Sequence, residues 1–560
     1  MAKNKLIGRV LATEKNPTTI DEFHFWTNSE TKLNAFDIVK VERSDGTDTF
    51  GVIESISHIT DATSFLTNFI SSDFGDVDIS EPTFRVGMNY AYAKVSHNTK
   101  GDYTPVHNNS KVYLASAKEI TLALGLGDVE IEDRLICGSL KMYEGTEDEV
   151  TLPVNLNAKF LLGSEGAHLN ISGISGLAAK TSYAMFLMKS IQEYYSKKNN
   201  DVEDDSVAFV LFNVKGRDLM AIDRPNDDLD DETINDYKKL GLSQSPFKKV
   251  KYYIPFSEAT SAKQSTYLMR DDVSSYISSG KLKKFKYVYK DDKESIEMMF
   301  ANVEDPNQTM ESIVSKIIDE RDADFGKLKS WSEFLETVSE NSQKGSSGAK
   351  GEISVLSWRK FKRIINKALK NDMFSNRVIP EQSECQLADQ LKHIHKNEVH
   401  VIDIAKLPED MQAFVFGDVV KTIYNLKLGE YDNEGVSPPS RIVIFIDELN
   451  KYASSDVPKS SPILRQILDI TERGRSLGVV LFGAEQFRSA IHKRVTGNCA
   501  THAYGRTNSI ETSTGDYKSL PGTYRNMLTR LSQGEYLIQS PVFRSLLKIK
   551  FPKPIYKQFK

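Results

Sequence analysis

Apolar and polar residues alternate with a period of two along the first part of the chain. Residues 6–11, 22–26, 36–41 and 49–56 each read as a strand with one buried face. The last two flank Ser44, Asp45 and Gly46, and Asp-Gly is a strong hairpin-turn signal. Short strands at roughly ten-residue spacing predict a small β-barrel over residues 1–80. Residues 81–165 continue as a β-rich connection, with strands expected within 84–95, 132–142 and 150–162.

Beyond residue 165 the pattern changes. Short apolar runs without alternation occur at 207–212, 442–446 and 478–483, with further strands expected at 168–172, 399–404 and 500–506. Such runs read as strands buried on both faces. Between them, residues 183–195, 411–426 and 463–473 carry apolar positions at helical spacing. Strands alternating with helices predict a parallel α/β sheet. Residues 240–395 are too long for an ordinary crossover and read as an inserted, mostly helical subdomain, with a helical tract at 310–320 and a flexible stretch at 344–351. The expected organisation is therefore a barrel at 1–80, a connection at 81–165, a core in two parts at 166–239 and 396–560, and the insertion between them. Two basic-aromatic pieces of the insertion, 248–253 and 281–287, either track a nucleic-acid backbone or are strands with lysines on the outer face.

Chemistry enters at the strand ends. The run 441–448 finishes in Asp447 and Glu448. Two carboxylates at the carboxyl edge of a parallel sheet face the ligand crevice. There Asp447 suits a Mg²⁺ site and Glu448 suits the orientation of an attacking water. The plainer alternative is an acidic pair that caps the next helix. Upstream, the strand 168–172 leads into Gly173-Ile-Ser175-Gly176-Leu177-Ala178-Ala179-Lys180-Thr181-Ser182 and then a helix. Strand, small-residue loop, Lys-Thr and helix is the context of a phosphate-binding loop. Its backbone amides cradle phosphates, its lysine neutralises them and its hydroxyl reaches Mg²⁺. The spacing is irregular: Ala179 stands where glycine usually precedes the lysine, and Gly173 lies seven positions ahead of Lys180. An alanine held at positive φ carries a steric penalty. Either the loop has one extra residue or Thr181 and Ser182 divide the hydroxyl role differently.

Other polar groups fall at strand ends. Lys215 and Asp218 follow the strand 207–212, and Gln486 follows 478–483, where a γ-phosphate sensor would stand. Arg473, Arg475 and Arg506 lie near element ends. Planar, permanently charged guanidinium groups suit phosphoryl transition states and are often supplied in trans, although each also suits a surface ion pair. His393, His395 and His400 lack a further ligand at metal spacing.

The 560 residues leave room for several domains, and the formal net charge of −5 excludes global basic character. Any nucleic-acid contact must come from a local patch or from a ring of subunits. Cys137, Cys385 and Cys499 are scattered, which argues for a reducing, cytoplasmic setting without disulfides. No apolar leader and no stretch approaching about 18 apolar residues is present, so no membrane span is expected.

Together these segments resemble the HerA branch of the HerA–FtsK ATPases. The resemblance covers residues 5–60, 160–215 and 399–552. It is carried by the barrel-then-loop order, Phe445-Ile-Asp-Glu448, Glu472-Arg-Gly-Arg-Ser476 and Arg544-Ser-Leu-Leu-Lys-Ile-Lys-Phe-Pro552. It departs from the family at Ala178, Ala179 and the Ala167-His168 pair. The resemblance implies a RecA-like P-loop NTPase core with a HAS-type barrel, ATP and Mg²⁺ as cofactors, and a homo-hexameric ring. It also implies movement of double-stranded DNA with a partner nuclease or an NAD-consuming, sirtuin-like effector in defence or DNA processing. An oligomeric ATP-binding scaffold for such an effector is the alternative.

Overall fold

Strands β1 (Leu6–Leu11), β2 (Glu22–Thr27), β3 (Ile38–Glu42), β4 (Asp48–Thr60), β5 (Gly87–Asn98) and β6 (Lys111–Leu114) close into an antiparallel barrel in the order β1-β2-β5-β4-β3-β6. This is a computed structural model, and it describes residues 4–28, 30–71, 74, 86–176, 179–198, 205–258, 265–301, 303–305, 308–343, 353–431, 437–458 and 460–559. Alternation sets the inside of the barrel: Phe23 and Phe25 of β2 are buried while Trp26 faces out. Gly51 is required by close approach, since a Cβ there would lie 2.7 Å from the Phe23 ring. The barrel extends past the expected boundary at residue 80, because β5 and β6 close it. β5 pairs with both β2 and β4, and β6 with both β1 and β3.

The chain divides into two compact units. One holds the barrel with residues up to Asn157 and the segments Ser519–Arg530 and Glu535–Lys550; the other holds Ala158–Lys518 with two short later pieces. In the first unit the hairpin β7 (Arg134–Met142) and β8 (Val150–Asn157) is fastened to the barrel by Tyr143. Its buried hydroxyl donates to the Ile38 carbonyl at 2.7 Å and accepts from the Ala115 amide at 2.9 Å. Its own amide donates to Asp37 at 2.8 Å.

The second unit is built on parallel strands: β9 (Leu169–Ser172), β10 (Val207–Asn213), β11 (Val250–Pro255), β12 (Leu282–Phe285), β13 (Glu384–Cys385), β14 (Val399–Asp403), β15 (Arg441–Asp447), β16 (Val479–Glu485) and β17 (Thr501–Tyr504). Their order is β13-β12-β11-β14-β10-β15-β16-β9-β17, with every pairing among them parallel. The chain leaves β9 over two strands to reach β10, while β17 lies on its other side. That reversal places a crevice at the carboxyl end of β9. Ala208, Val210, Phe212, Ile442, Ile444 and Ile446 pack beneath the helices Glu409–Leu428 and Pro462–Leu477. The alternate residues Phe209, Leu211, Val443 and Phe445 are equally buried on the other face, where the helix Lys180–Lys197 packs on the sheet. The last strands, β18 (Glu535–Gln539) and β19 (Leu547–Lys550), pair antiparallel in the first unit, and β19 continues onto β7.

The insertion departs from expectation. It contributes β11, β12 and β13 to the sheet, and its helices lie between and beside them, at Arg270–Ser278, within 289–368 and at Leu387–Lys392. The basic-aromatic pieces are β11 and β12. Tyr252 and Tyr253 are buried in the sheet, so neither offers a stacking platform for bases. The stretch 344–351 lies outside the described residues. Among the described residues no helix is long and apolar enough to cross a membrane. Cys137, Cys385 and Cys499 are buried and form no disulfide among the described residues.

Candidate nucleotide site

The loop after β9 is hung from the ends of its two neighbouring strands. The Gly173 amide donates to the Glu485 carbonyl at 3.1 Å, and the Ile174 amide to the Arg506 carbonyl at 2.8 Å. Gly176 sits at φ 81, which only glycine adopts freely. Ala179 sits at φ 49, so the steric penalty expected of an alanine before the lysine is present in the structure. Leu177 and Ala178 lie outside the described residues. The helix Lys180–Lys197 starts without a side-chain cap, and its first-turn amides stay available to an anion.

Lys180 is buried, and its Nζ donates to the Gly173 carbonyl at 3.0 Å. Burial pulls this lysine down, and Asp447 partly opposes the shift. A buried ammonium resting on a neutral carbonyl favours arrival of a polyanion. Thr181 Oγ1 donates to Asp447 Oδ2 at 3.2 Å, across β16, which separates β9 from β15. Ser182 points elsewhere and bonds the buried Tyr556 phenol. The structure therefore sets the hydroxyl of Thr181, and not that of Ser182, against Asp447.

Glu448 follows directly at φ 60, a left-handed conformation that costs a glutamate about 1–3 kcal/mol. Its carboxylate is held by Lys215 on one oxygen and by Lys451 on the other at 2.9 Å. Burial raises the Glu448 carboxyl, but the hydrogen bonds from Lys215 and Lys451 outweigh it and hold the group below its ordinary range. Lys215 also lies 3.9 Å from Asp447. Burial lowers Lys215, yet Glu448 and Asp447 overcome that and raise it. Asp218 is exposed on the same turn and donates its amide to the Lys215 carbonyl at 3.4 Å. Asn213 fixes that turn by donating to Gly216 O at 3.1 Å and to the buried Asp403 at 2.8 Å.

Gln486 donates to Ser175 of the loop, so this strand tip and the phosphate loop meet. Arg506 stands beside the loop through its backbone bond to Ile174. Arg473 and Arg475 do not join the site. They are exposed near the end of the helix Pro462–Leu477, which returns to the amino edge of the sheet, and Arg475 donates to Glu165 O at 3.2 Å. Within one copy they cannot complete the site, because the sheet separates them from Lys180. The histidines also do not converge: His400 is buried against Tyr253 and Glu398, while His393 bonds its own helix at Asp389.

Two residues escaped sequence reasoning as site members. Lys451 stands three residues after Glu448, near enough along the chain for an ion pair, and that spacing was a usable signal. Glu485, at the end of β16, is fully buried below the loop. Asn170 faces it, yet neither Glu485 oxygen completes a hydrogen bond. Burial pushes its carboxyl up to about 8 against the opposing fields of Arg488 and Lys180. Nothing in the sequence separates Glu485 from an ordinary strand-end acid.

Ala179→Gly tests the loop strain. Glycine adopts the same left-handed conformation without the Cβ clash, which relieves about 1–2 kcal/mol, less about 0.5–1 kcal/mol for the freer unfolded chain. The expected result is an unfolding midpoint in urea shifted upward by an amount equal to a few tenths up to about 1 kcal/mol. A midpoint that falls would show that the loop does not strain Ala179.

No family model and no curated protein matches the chain. Among solved structures, it is similar to the plasmid coupling protein TrwB in complex with ADP and Mg²⁺, with TM-score 0.39 and 10% identity over 70% of this chain and 88% of that one. The bacterial conjugative coupling protein TrwBdeltaN70 in its trigonal form gives TM-score 0.39 and 10% identity over 70% and 87%. The genome-packaging NTPase B204 of Sulfolobus turreted icosahedral virus 2, in complex with ATP-gammaS, gives TM-score 0.22 and 15% identity over 30% and 72%.

Proposed function

We infer that the chain is an ATPase that couples ATP hydrolysis to movement along double-stranded DNA. The observation that carries the first half is the meeting of Thr181, Asp447, Lys180 and Glu448 at one sheet edge, although 266 residues of sequence separate Thr181 from Asp447. Two oxygen donors 3.2 Å apart match the hard, oxygen-seeking character of Mg²⁺. The uncapped helix start and the buried Lys180 match a triphosphate. Bound Mg²⁺ supplies Lewis-acid neutralisation of charge on the phosphate oxygens.

The chain's own residues do the rest. Lys180 swings from Gly173 O to the β- and γ-phosphates. Glu448, freed from Lys215 and Lys451, orients the water and holds its proton at a carboxylate oxygen. Lys215 is then released beside the γ-phosphate position, where its charge opposes the build-up on the transferred group. Gln486 reads the γ-phosphate through its position at Ser175. Arg506 stands at the rim, and Arg473 or Arg475 serves only a neighbouring copy, which makes a ring, of six copies in our reading, part of the function. The finer reading is a HerA-type translocase that serves a partner nuclease or NAD-consuming effector in anti-phage defence or DNA processing. It rests on the motif order and on the barrel.

A second reading is a nucleotide-gated scaffold with slow turnover. The strained Ala179 and the two lysines locked on Glu448 favour it. Steady-state ATP hydrolysis by the purified protein, with and without duplex DNA, separates the two. The translocase reading expects turnover that duplex raises several-fold and that Lys180→Ala lowers at least 100-fold. Turnover near zero in every sample, with ATP still bound, leaves the scaffold.

A further inference from the structure

The helix Val355–Ala368 has two chemically opposed faces. Trp358, Phe361, Ile365 and Ala368 are buried. Trp358 stacks on Phe325 at 5.6 Å, and Phe361 stacks on Phe300 at 4.9 Å. These rings fix the rotation of the helix about its axis. The outer face is thereby fixed too: Arg359, Lys362, Arg363 and Lys367 recur along it at three- and four-residue spacing, and Lys370 follows just past the helix end. They line one side of a groove of 810 Å³ whose other wall is the end of the helix Trp331–Asn341.

No carboxylate and no apolar side chain lines this groove. Lys367 reaches Asp410 at 2.8 Å, and Arg359 donates to the Ser342 carbonyl at 3.1 Å. Among the described residues nothing pairs with Lys362, Arg363 or Lys370. Lys367 and Lys370 gain from the helix C-terminus beside them. Arg359, Lys362 and Arg363 sit in the first half and middle of the helix and have no such reason. Like charges one turn apart repel, and nothing in the packing requires them. The whole chain is net negative at −5, so five cations in one groove reverse the local field.

The helical part of the stripe, Arg359 to Lys367, runs about 12 Å at 1.5 Å per residue, and Lys370 extends it past the helix end. A duplex strand presents a phosphate about every 3.4 Å of axis, so several phosphates pass along the stripe at once. That length suits a polyanion rather than a single phosphate group. A protein partner would need apolar or aromatic anchors at the centre of its interface, and the groove offers none. We propose that the basic groove on the helix Val355–Ala368 holds the phosphate backbone of duplex DNA without reading its sequence. The proposal rests on the translocase reading for the identity of the polyanion.

The test uses the full chain, a blunt 30-base-pair duplex and a salt series from about 50 to 200 mM. The variant is Lys362→Glu/Arg363→Glu/Lys370→Glu. Its affinity at 100 mM salt should fall at least 10-fold, and the slope of log K against log salt should flatten by about 2–3. ATP turnover without DNA should stay unchanged, because none of the three lies in the nucleotide site, while stimulation by duplex should disappear. Lys362→Ala/Arg363→Ala, a milder change, should flatten the slope by about 1.8. Wild-type binding with an unchanged slope and affinity in both variants overturns the groove alone. Absence of duplex binding by the wild type at low salt overturns the translocase reading, and the groove as a DNA site with it. Binding of polyglutamate in place of duplex, lost in the same variants, assigns the groove to an acidic protein and also overturns the proposal.

Discussion

Glu448→Gln should lower ATP turnover by about 10²–10⁴-fold while ATP remains bound. The glutamine keeps the size and the left-handed backbone position of Glu448 but loses the negative charge that the proposed mechanism uses to polarise water. It also loses the two ion pairs to Lys215 and Lys451. Thr181, Asp447 and Lys180 are untouched, so the phosphate and metal contacts survive. Release of Lys215 toward the crevice adds positive charge near the phosphates, so nucleotide affinity should hold or rise. The measurement is a pair: steady-state hydrolysis, and equilibrium binding of a fluorescent ATP analogue with Mg²⁺. Turnover within about tenfold of wild type would remove Glu448 as the group that orients water. Loss of binding together with turnover would instead mean that the residue supports the loop.

The second large effect is on stability, from Glu485→Gln. An unfolded glutamate titrates near 4.5, whereas burial pushes folded Glu485 up to about 8. Between these values the unfolded chain gives up the proton and the folded chain keeps it. The stability that Glu485 contributes in full below about pH 4.5 therefore drains away as the pH rises and is gone above 8. Glutamine has no proton to lose. Relative to wild type, the variant should gain almost nothing near pH 4 and on the order of 3 kcal/mol at pH 7. Urea unfolding of the nucleotide-free proteins at both pH values reads the difference. An equal gap at the two pH values would mean that Glu485 is ionised in the fold, paired to Arg488. A buried acid costs stability only where it is useful, and its place below Lys180 is the reason to examine turnover in the same variant.

Much of the second unit was legible because its signals are local. The apolar runs at β10, β15 and β16 need no partner to be recognised, since a strand buried on both faces reads as a continuous apolar run. The strand-loop-helix order around Lys180 is set by residues within a dozen positions of each other, and so was the warning at Ala179. What stayed hidden depended on distant pairings. β5 was read as a strand but left out of the barrel, because only its pairing with β2 and β4 makes it a member. β11 and β12 can be read as strands with outward lysines, but only their pairing with each other and with β14 puts them in the central sheet, where Tyr252, Tyr253 and Phe285 fill the core. The basic stripe from Arg359 to Lys370 became a surface feature only once Trp358 and Phe361 fixed which side of the helix is outside.

The sequence by itself determined the α/β class, the positions of the core strands and the residue types at their ends. It named Lys180, Thr181, Asp447, Glu448 and Gln486, because each follows a strand or loop whose direction is set locally. Only the tertiary structure decided that Thr181 rather than Ser182 faces Asp447, that Lys215 and Lys451 hold Glu448, and that Arg473 and Arg475 lie at the far edge of the sheet. The physical reason is strand order. Parallel strands are joined by crossovers, so which strand ends become neighbours depends on the pairing of segments hundreds of residues apart, and no local propensity encodes it.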